Sequence, residues 1–195
     1  MKPESPPAHA VSGDVVAEAR RVHDRARLLY TREQIESAMD RLAERLSSRL
    51  AGKNPLILCV MQGGLMFTAG MMPRLQLMTE LDYIHASRYR NSTAGYELDW
   101  LAYPTTSLKN RCVLILDDIF DKGHTLAALE KYCRQQGASE VVSAVLLYKR
   151  CEQQTQETRC EYAALEVEDR YVFGYGMDYK RQLRQLDCIY AVAEQ

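Results

Sequence analysis

Apolar positions along the chain alternate between two rhythms. Residues 13–29 place Val15, Val16, Ala19, Val22, Ala26 and Leu29 at roughly helical spacing, which predicts a first helix. A second is predicted after Thr31. There Thr31-Arg32-Glu33-Gln34 has capping-box spacing, and Ile35, Ala38, Met39, Leu42, Leu46 and Leu50 continue one apolar stripe. Gly52 offers a stop and Asn54-Pro55 punctuates. The rhythm then changes: Leu56-Ile57-Leu58-Cys59-Val60 is a continuous apolar run, as in a buried strand. Gln62-Gly63-Gly64 turns the chain into a helix predicted over 65–72 and ended by Pro73, and 81–86 is another strand candidate.

From 87 to 110 the chain is polar and turn-prone, which predicts a hairpin or a mobile excursion, functional or disordered at this length. Apolar text returns at Cys112-Val113-Leu114-Ile115-Leu116. Asp117-Asp118 follow, then Gly123 and a helix predicted over 124–136 with Leu126, Leu129 and Tyr132 on its stripe and Gly137 as its cap. Further strands are predicted at 141–148, 162–167 and 188–192. Continuous apolar strands alternating with helices predict an α/β fold, a mostly parallel central sheet flanked by helices.

A length of 195 residues suits one domain. The expected organisation is a disordered lead over 1–12 and a single domain with N-terminal helices over 13–195. Lys and Arg total 25 against 26 Asp and Glu, so no basic footprint marks a nucleic-acid partner. No apolar run approaches the ~18 residues of a membrane span, so no membrane partner is expected. The N-terminal residues lack the apolar region of a secretory signal. The six cysteines form no C-x-x-C pair, which leaves metal and redox motifs unsupported and points to reducing cytoplasm. His9, His23 and His85 have no metal spacing. The Arg-rich stretch 18–32 reads as a solvated face, with a subunit contact as the alternative.

The chemistry concentrates in Val113-Leu114-Ile115-Leu116-Asp117-Asp118-Ile119-Phe120-Asp121-Lys122-Gly123-His124-Thr125. A buried strand leads to two carboxylates, and a short glycine loop opens a helix. Ligands bind at the carboxyl ends of such strands, and a helix N-terminus offers N–H groups to a phosphate. Gly123 permits close backbone approach, and the Thr125 hydroxyl adds a donor. The paired carboxylates suit vicinal sugar hydroxyls or Mg²⁺. The same residues also suit a strand end with acidic helix-cap residues. Neither a Walker A loop nor a G-x-G-x-x-G fingerprint is present.

This segment closely resembles the signature of the type I phosphoribosyltransferases, and within them the hypoxanthine-guanine phosphoribosyltransferases: an apolar strand, two acidic residues, two apolar residues, then Asp-Thr-Gly-x-Thr. The resemblance extends over roughly 30–192, through CVMQGGLMF, YIHASRYRNST, LLYKR and DRYVFGYGMDYKRQLR. It implies the type I fold with a small hood region, and, in purine salvage, transfer of a phosphoribosyl group from phosphoribosyl pyrophosphate to a 6-oxopurine, hypoxanthine and/or guanine, with Mg²⁺ as cofactor. By resemblance, Asp121 handles the proton at purine N7, Asp117 and Asp118 hold the ribose hydroxyls, and Lys122, Gly123, His124 and Thr125 cradle the 5′-phosphate. Gln62, Gly63 and Arg184 face pyrophosphate. Lys149, Tyr171 and the backbone of Val172 face the base. Arg88 and Tyr89 belong to a mobile closing loop, and Asp178 contacts the metal, with Asp117 and Asp118 as further candidates. Relatives are commonly dimers or tetramers, so a homodimer or homotetramer is expected. Three residues depart from the family pattern: Lys122 stands where Thr is commonest, Gln62 where many relatives carry Lys beside an often-cis peptide, and Arg88 where many carry Ser. A non-catalytic sensor of a nucleotide or of phosphoribosyl pyrophosphate, and a xanthine-preferring enzyme, are the alternative readings.

Overall fold

A computed structural model describes residues 13–88, 98–151, 154–155 and 159–193. The lead over 1–12 and Tyr89 lie outside the described residues. In chain order the elements are α1 (Gly13–Arg25), β1 (Arg27–Tyr30), α2 (Arg32–Leu50), β2 (Leu56–Met61), α3 (Gly64–Met71), β3 (Glu80–Arg88), β4 (Leu98–Ala102), β5 (Cys112–Phe120), α4 (His124–Gln135), β6 (Glu140–Arg150), β7 (Tyr162–Glu168), β8 (Val172–Phe173) and β9 (Ile189–Ala191).

The main sheet runs β4-β3-β2-β5-β6-β7. All its pairings are parallel except β3 with β4, which makes the excursion a hairpin. Strand periodicity sends alternate side chains to opposite faces. Leu114 and Leu116 of β5 join Ile35, Met39, Leu42 and Leu46 of α2 and Phe67 and Met71 of α3 on one side. Val113 and Ile115 join Leu126, Leu129 and Cys133 of α4 on the other. The hairpin completes that second layer by laying Trp100 and Tyr103 against Tyr132 of α4. A smaller antiparallel sheet, β1-β9-β8, forms the hood, with Val172, Ile189 and Ala191 continuing the core on the α2 side.

Helix α2 starts where its sequence says. The Thr31 side chain accepts from the Gln34 N–H, and the Gln34 side chain accepts from the Thr31 N–H at 2.9 Å. The first helix is shorter than its spacing predicts. It ends at Arg25, and 27–30 become β1, because pairing with β9 satisfies that backbone while Leu29 and Tyr30 pack on the core. β5 is longer than predicted, so Asp117 and Asp118 lie within the strand and not after it. On the Arg-rich face Arg20, Arg21, Arg25, Arg27 and Arg32 are all exposed, open to solvent or to a second subunit. Among the described residues no helix is long and apolar enough to cross a membrane.

Candidate active site

Three adjacent parallel strands, β2, β5 and β6, deliver their carboxyl ends to one edge of the sheet. β5 supplies the acidic pair. Asp117 is buried, and its Oδ1 accepts from the Asp118 backbone N–H at 2.9 Å. Burial pushes the Asp118 carboxyl upward, offset only in part by its hydrogen bond with Asp117 and the positive field of Arg184. The strand then gives way at Asp121 and Lys122 to Gly123, whose φ of +83° is a left-handed conformation that favours glycine. That turn aims the N-terminus of α4, with His124 and Thr125 in its first turn, at the same edge.

Lys149, near the end of β6, brings its Nζ to 3.4 Å from Asp121 Oδ1 and 3.7 Å from Asp169 Oδ1. The Lys149 side chain is 12% exposed and that of Asp121 23%, so this pair is more sheltered than an ordinary surface ion pair. Gln154 braces both loops. Its Nε2 donates to the backbone oxygens of Lys149 (2.7 Å) and Asp121 (3.3 Å), while its Oε1 accepts from Tyr148 Oη at 2.7 Å.

The third wall is the segment 171–184. Tyr171 is half-exposed, and its hydroxyl donates to the Asp178 carbonyl at 3.2 Å. Val172 buries its side chain in the core and lies in β8, which pairs with β9. Arg184 is folded back on the same segment. Its Nη2 is 2.7 Å from Asp178 Oδ1, and its Nη1 donates to the Gly176 carbonyl at 2.5 Å. This wall touches the loop after β2, since a Cβ at Gly176 would collide with the Gly63 carbonyl and one at Gly63 with the Asp118 carboxylate. Gln62 is exposed beside Gly63 and follows a cis peptide bond.

The structure therefore gathers Asp117, Asp118, Asp121, Lys122, Gly123, His124, Thr125, Lys149, Gln62, Gly63, Asp178 and Arg184 on strand ends and loops of one edge, with 171–172 alongside. Arg88 ends β3. Sequence reasoning missed three contributors. Gln154 carries no motif. Asp82, buried in β3, accepts from the backbone N–H groups of Tyr83, Thr105 and Thr106 at 2.7–2.9 Å and so fastens the hairpin's return to the sheet. Burial alone would raise its carboxyl, but these donors outweigh burial and hold it below the usual carboxylate range. His85 pairs in register with Met61, one residue before Gln62. Burial and the field of Arg184 hold its imidazole below the usual value, favouring the neutral form.

Among the described residues no three His, Cys, Asp or Glu side chains form a metal cage. Magnesium, however, takes only one or two carboxylates and completes its shell with phosphates and water. Asp178 and the Asp117–Asp118 pair offer hard oxygens of that kind, and the donor set fits.

Residues 28–180 match the family described as the phosphoribosyl transferase domain. A hypoxanthine-guanine phosphoribosyltransferase of Streptococcus pneumoniae is 30% identical over 174 residues, covering 89% of this chain and 96% of the relative. One of Bacillus subtilis is 31% identical over 168 residues, covering 86% and 93%. In three dimensions the chain superposes on a hypoxanthine phosphoribosyltransferase of Staphylococcus aureus with a TM-score of 0.82 over 88% of this chain and 94% of that one, at 24% identity, a likeness of fold. With its acidic pair on β5, its glycine turn into α4 and its hood all in place, the chain belongs to the phosphoribosyltransferase family, in its hypoxanthine-guanine phosphoribosyltransferase branch.

Proposed function

We propose that this protein transfers the phosphoribosyl group of phosphoribosyl pyrophosphate to hypoxanthine, guanine or both in purine salvage, giving IMP or GMP and pyrophosphate. The observation that carries the reading is Lys149 Nζ lying 3.4 Å from Asp121 Oδ1 at the ends of neighbouring strands. In a 6-oxopurine, O6 and N7 sit side by side on one ring edge. An ammonium and a carboxylate this close address both atoms together: Lys149 donates to O6 and Asp121 faces N7. As N9 bonds to C1′, the C1′–oxygen bond to pyrophosphate breaks and the N7 proton passes to Asp121.

Positive charge then builds on the ribose, where Asp117 and Asp118 hold the hydroxyls and supply a negative field. Lys122, Gly123, His124 and Thr125 receive the 5′-phosphate at the α4 N-terminus. Tyr171 stacks on the base and the backbone of Val172 reads its edge. Arg184 grips pyrophosphate with its planar fork, beside Gln62 and Gly63. Arg88 and Tyr89 belong to the closing loop. Asp178, with Asp117 and Asp118 as further candidates, would hold Mg²⁺, which when bound offsets the charge of the leaving pyrophosphate.

The chain works in the cytoplasm on this reading, which its six free cysteines support. It also assembles as a homodimer or homotetramer. Half-exposed Leu65, Leu81 and Tyr83 border an apolar groove of about 520 Å³, a surface of the kind that subunits cover.

Rates with hypoxanthine, guanine, xanthine and adenine test the reading. Adenine presents an amino donor to the Lys149 ammonium, so donor faces donor and the hydrogen bond at position 6 is lost. It should be poorer than hypoxanthine by roughly 10⁴-fold. Adenine turning over as fast as hypoxanthine would remove Lys149 from this role. Tight nucleotide binding with no turnover of any base would favour the sensor.

A further inference from the structure

Helix α1 precedes the residues matched by the family, and the reaction described above uses none of its side chains. It is nonetheless seated on the hood. Ala19 is buried, and His23 meets Tyr190 and Phe173 edge-on at 5.0 and 6.3 Å. One residue before Ala19, Glu18 reaches the third wall of the site. Its Oε1 accepts from Tyr179 Oη at 2.8 Å, and its two oxygens lie 2.7 and 2.8 Å from Lys180 Nζ. These contacts hold the Glu18 carboxyl below its usual range, through Lys180 first and then Tyr179, and raise the Tyr179 phenol.

The far side of the same segment carries Asp178 and Arg184. Lys180, Arg181 and Leu183 have φ values of +48°, +68° and +69°. Residues with side chains adopt that left-handed conformation only where surrounding contacts impose it. Lys180 and Arg181 are the corner residues of a tight turn closed by reciprocal backbone hydrogen bonds between Tyr179 and Gln182 at 2.9 Å, which accounts for their own φ values but not for how the turn is seated. On the site side the constraints on its seating are the Asp178–Arg184 pair and the Arg181 N–H donating to Asp178 Oδ2 at 2.6 Å. On the outer side they are the contacts to Glu18. The ring of Tyr179 links the two, edge-on to Tyr171 at 5.6 Å, whose hydroxyl holds the Asp178 carbonyl.

We propose that α1 is a brace for this segment and that Glu18 is a positioning residue, holding 178–184 in the conformation that presents Arg184 to pyrophosphate and Asp178 to the metal that would accompany it. The inference rests on the assignment of Asp178 and Arg184 made above. Glu18→Gln keeps the side chain's size and removes its charge; Glu18→Ala removes both. In the full chain, each should raise the KM for phosphoribosyl pyrophosphate by roughly 10-fold, the order seen when a supporting partner of a binding group is lost. The KM for the base should stay near parental, and Glu18→Asp should recover part of the loss. Trypsin supplies a readout without substrate: cutting after Lys180 and Arg181 should be several-fold faster in Glu18→Gln at unchanged melting temperature.

A KM for phosphoribosyl pyrophosphate within twofold of parental in Glu18→Gln would overturn the proposal, whether or not trypsin cuts faster. So would an equal rise in both KM values, which marks a general structural defect. Arg184→Lys in parallel separates the two levels of inference. If it too keeps the parental KM, the pyrophosphate assignment has failed; if it alone raises KM, the brace has failed.

Discussion

Gly63 gives the sharpest steric test of the site. Its φ and ψ are −63° and −44°, ordinary for any residue, so its backbone does not require glycine. In open space, Ala there would stabilise the fold by about 0.4–1 kcal/mol by restricting the unfolded chain. The space is filled: an added Cβ overlaps Oδ2 and Cγ of Asp118 and lies 2.9 Å from its Oδ1. Restoring contacts to about 3.5 Å requires the carboxylate to retreat by about 1 Å or more. The backbone cannot follow, because the Asp118 N–H is held by Asp117 and Asp117 is in register with Val145 of β6, so the Asp118 side chain itself must rotate away from its place in the site. A displacement near 1 Å can cost about 10²-fold in rate, or about 2.7 kcal/mol of transition-state stabilisation.

Gly63→Ala should therefore lose about two decades of kcat/KM in a steady-state IMP-formation assay. Overpacking costs about 1–3 kcal/mol, and at about 2–4 °C per kcal/mol for a chain of this size the melting temperature should fall by about 2–12 °C. Gly63→Ala with Asp118→Ala relieves the overlap, so the double variant should melt no lower than Asp118→Ala alone. Activity within threefold of parental, with unchanged melting, would show that Asp118 is not held against this loop and would refute the geometry.

Asp121→Asn keeps shape but loses basicity, and turnover should fall by about 10²–10⁴-fold with little change in phosphoribosyl pyrophosphate binding; a variant within twofold of parental would leave Asp121 a structural role only. Excess chelator should abolish IMP formation and added Mg²⁺ restore it, and undiminished turnover in chelator would contradict the metal assignment. Because the Asp82 carboxyl is lowered in the folded protein, its stabilisation is present above the ordinary carboxylate range and lost as pH falls through its folded value, below about pH 4. Asp82→Asn should cost about 1.5–3 kcal/mol at pH 7 and flatten part of the parent's loss of melting temperature in acid; equal pH slopes in the two proteins would count against the hairpin anchor.

Local pattern reveals an element when the element's own residues carry its period. The capping box at Thr31 and the stripe from Ile35 to Leu50 made α2 readable, and the unbroken apolar run at 112–116 made β5 readable. Residues 27–30 were not, because Leu29 falls on the helical rhythm of α1 while its strand partner lies at 189–191. β8, with two residues, is too short to show a period at all. The same division holds at the site. Residues 117–125 form a contiguous signature. Gln154, Asp82, His85 and Glu18 act through partners brought near by the fold, as Glu18 and Lys180 are across 162 positions of sequence.

One polar side chain has a consequence for how such a protein can change over generations. Gln154 grips the backbone beside Lys149 and the backbone of Asp121 with a single amide group. On the roles proposed for Lys149 and for the phosphate loop that follows Asp121, base preference and phosphate retention share a fastener, and a change to that fastener alters both at once. A substitution at 149 leaves the bond from Gln154 intact, since any residue supplies the same carbonyl. A change at 154 would loosen both before improving either. Position 154 is therefore expected to drift less than 149, while 171–172, proposed to face the base from a separate wall, offer a second route by which base preference can shift in single steps.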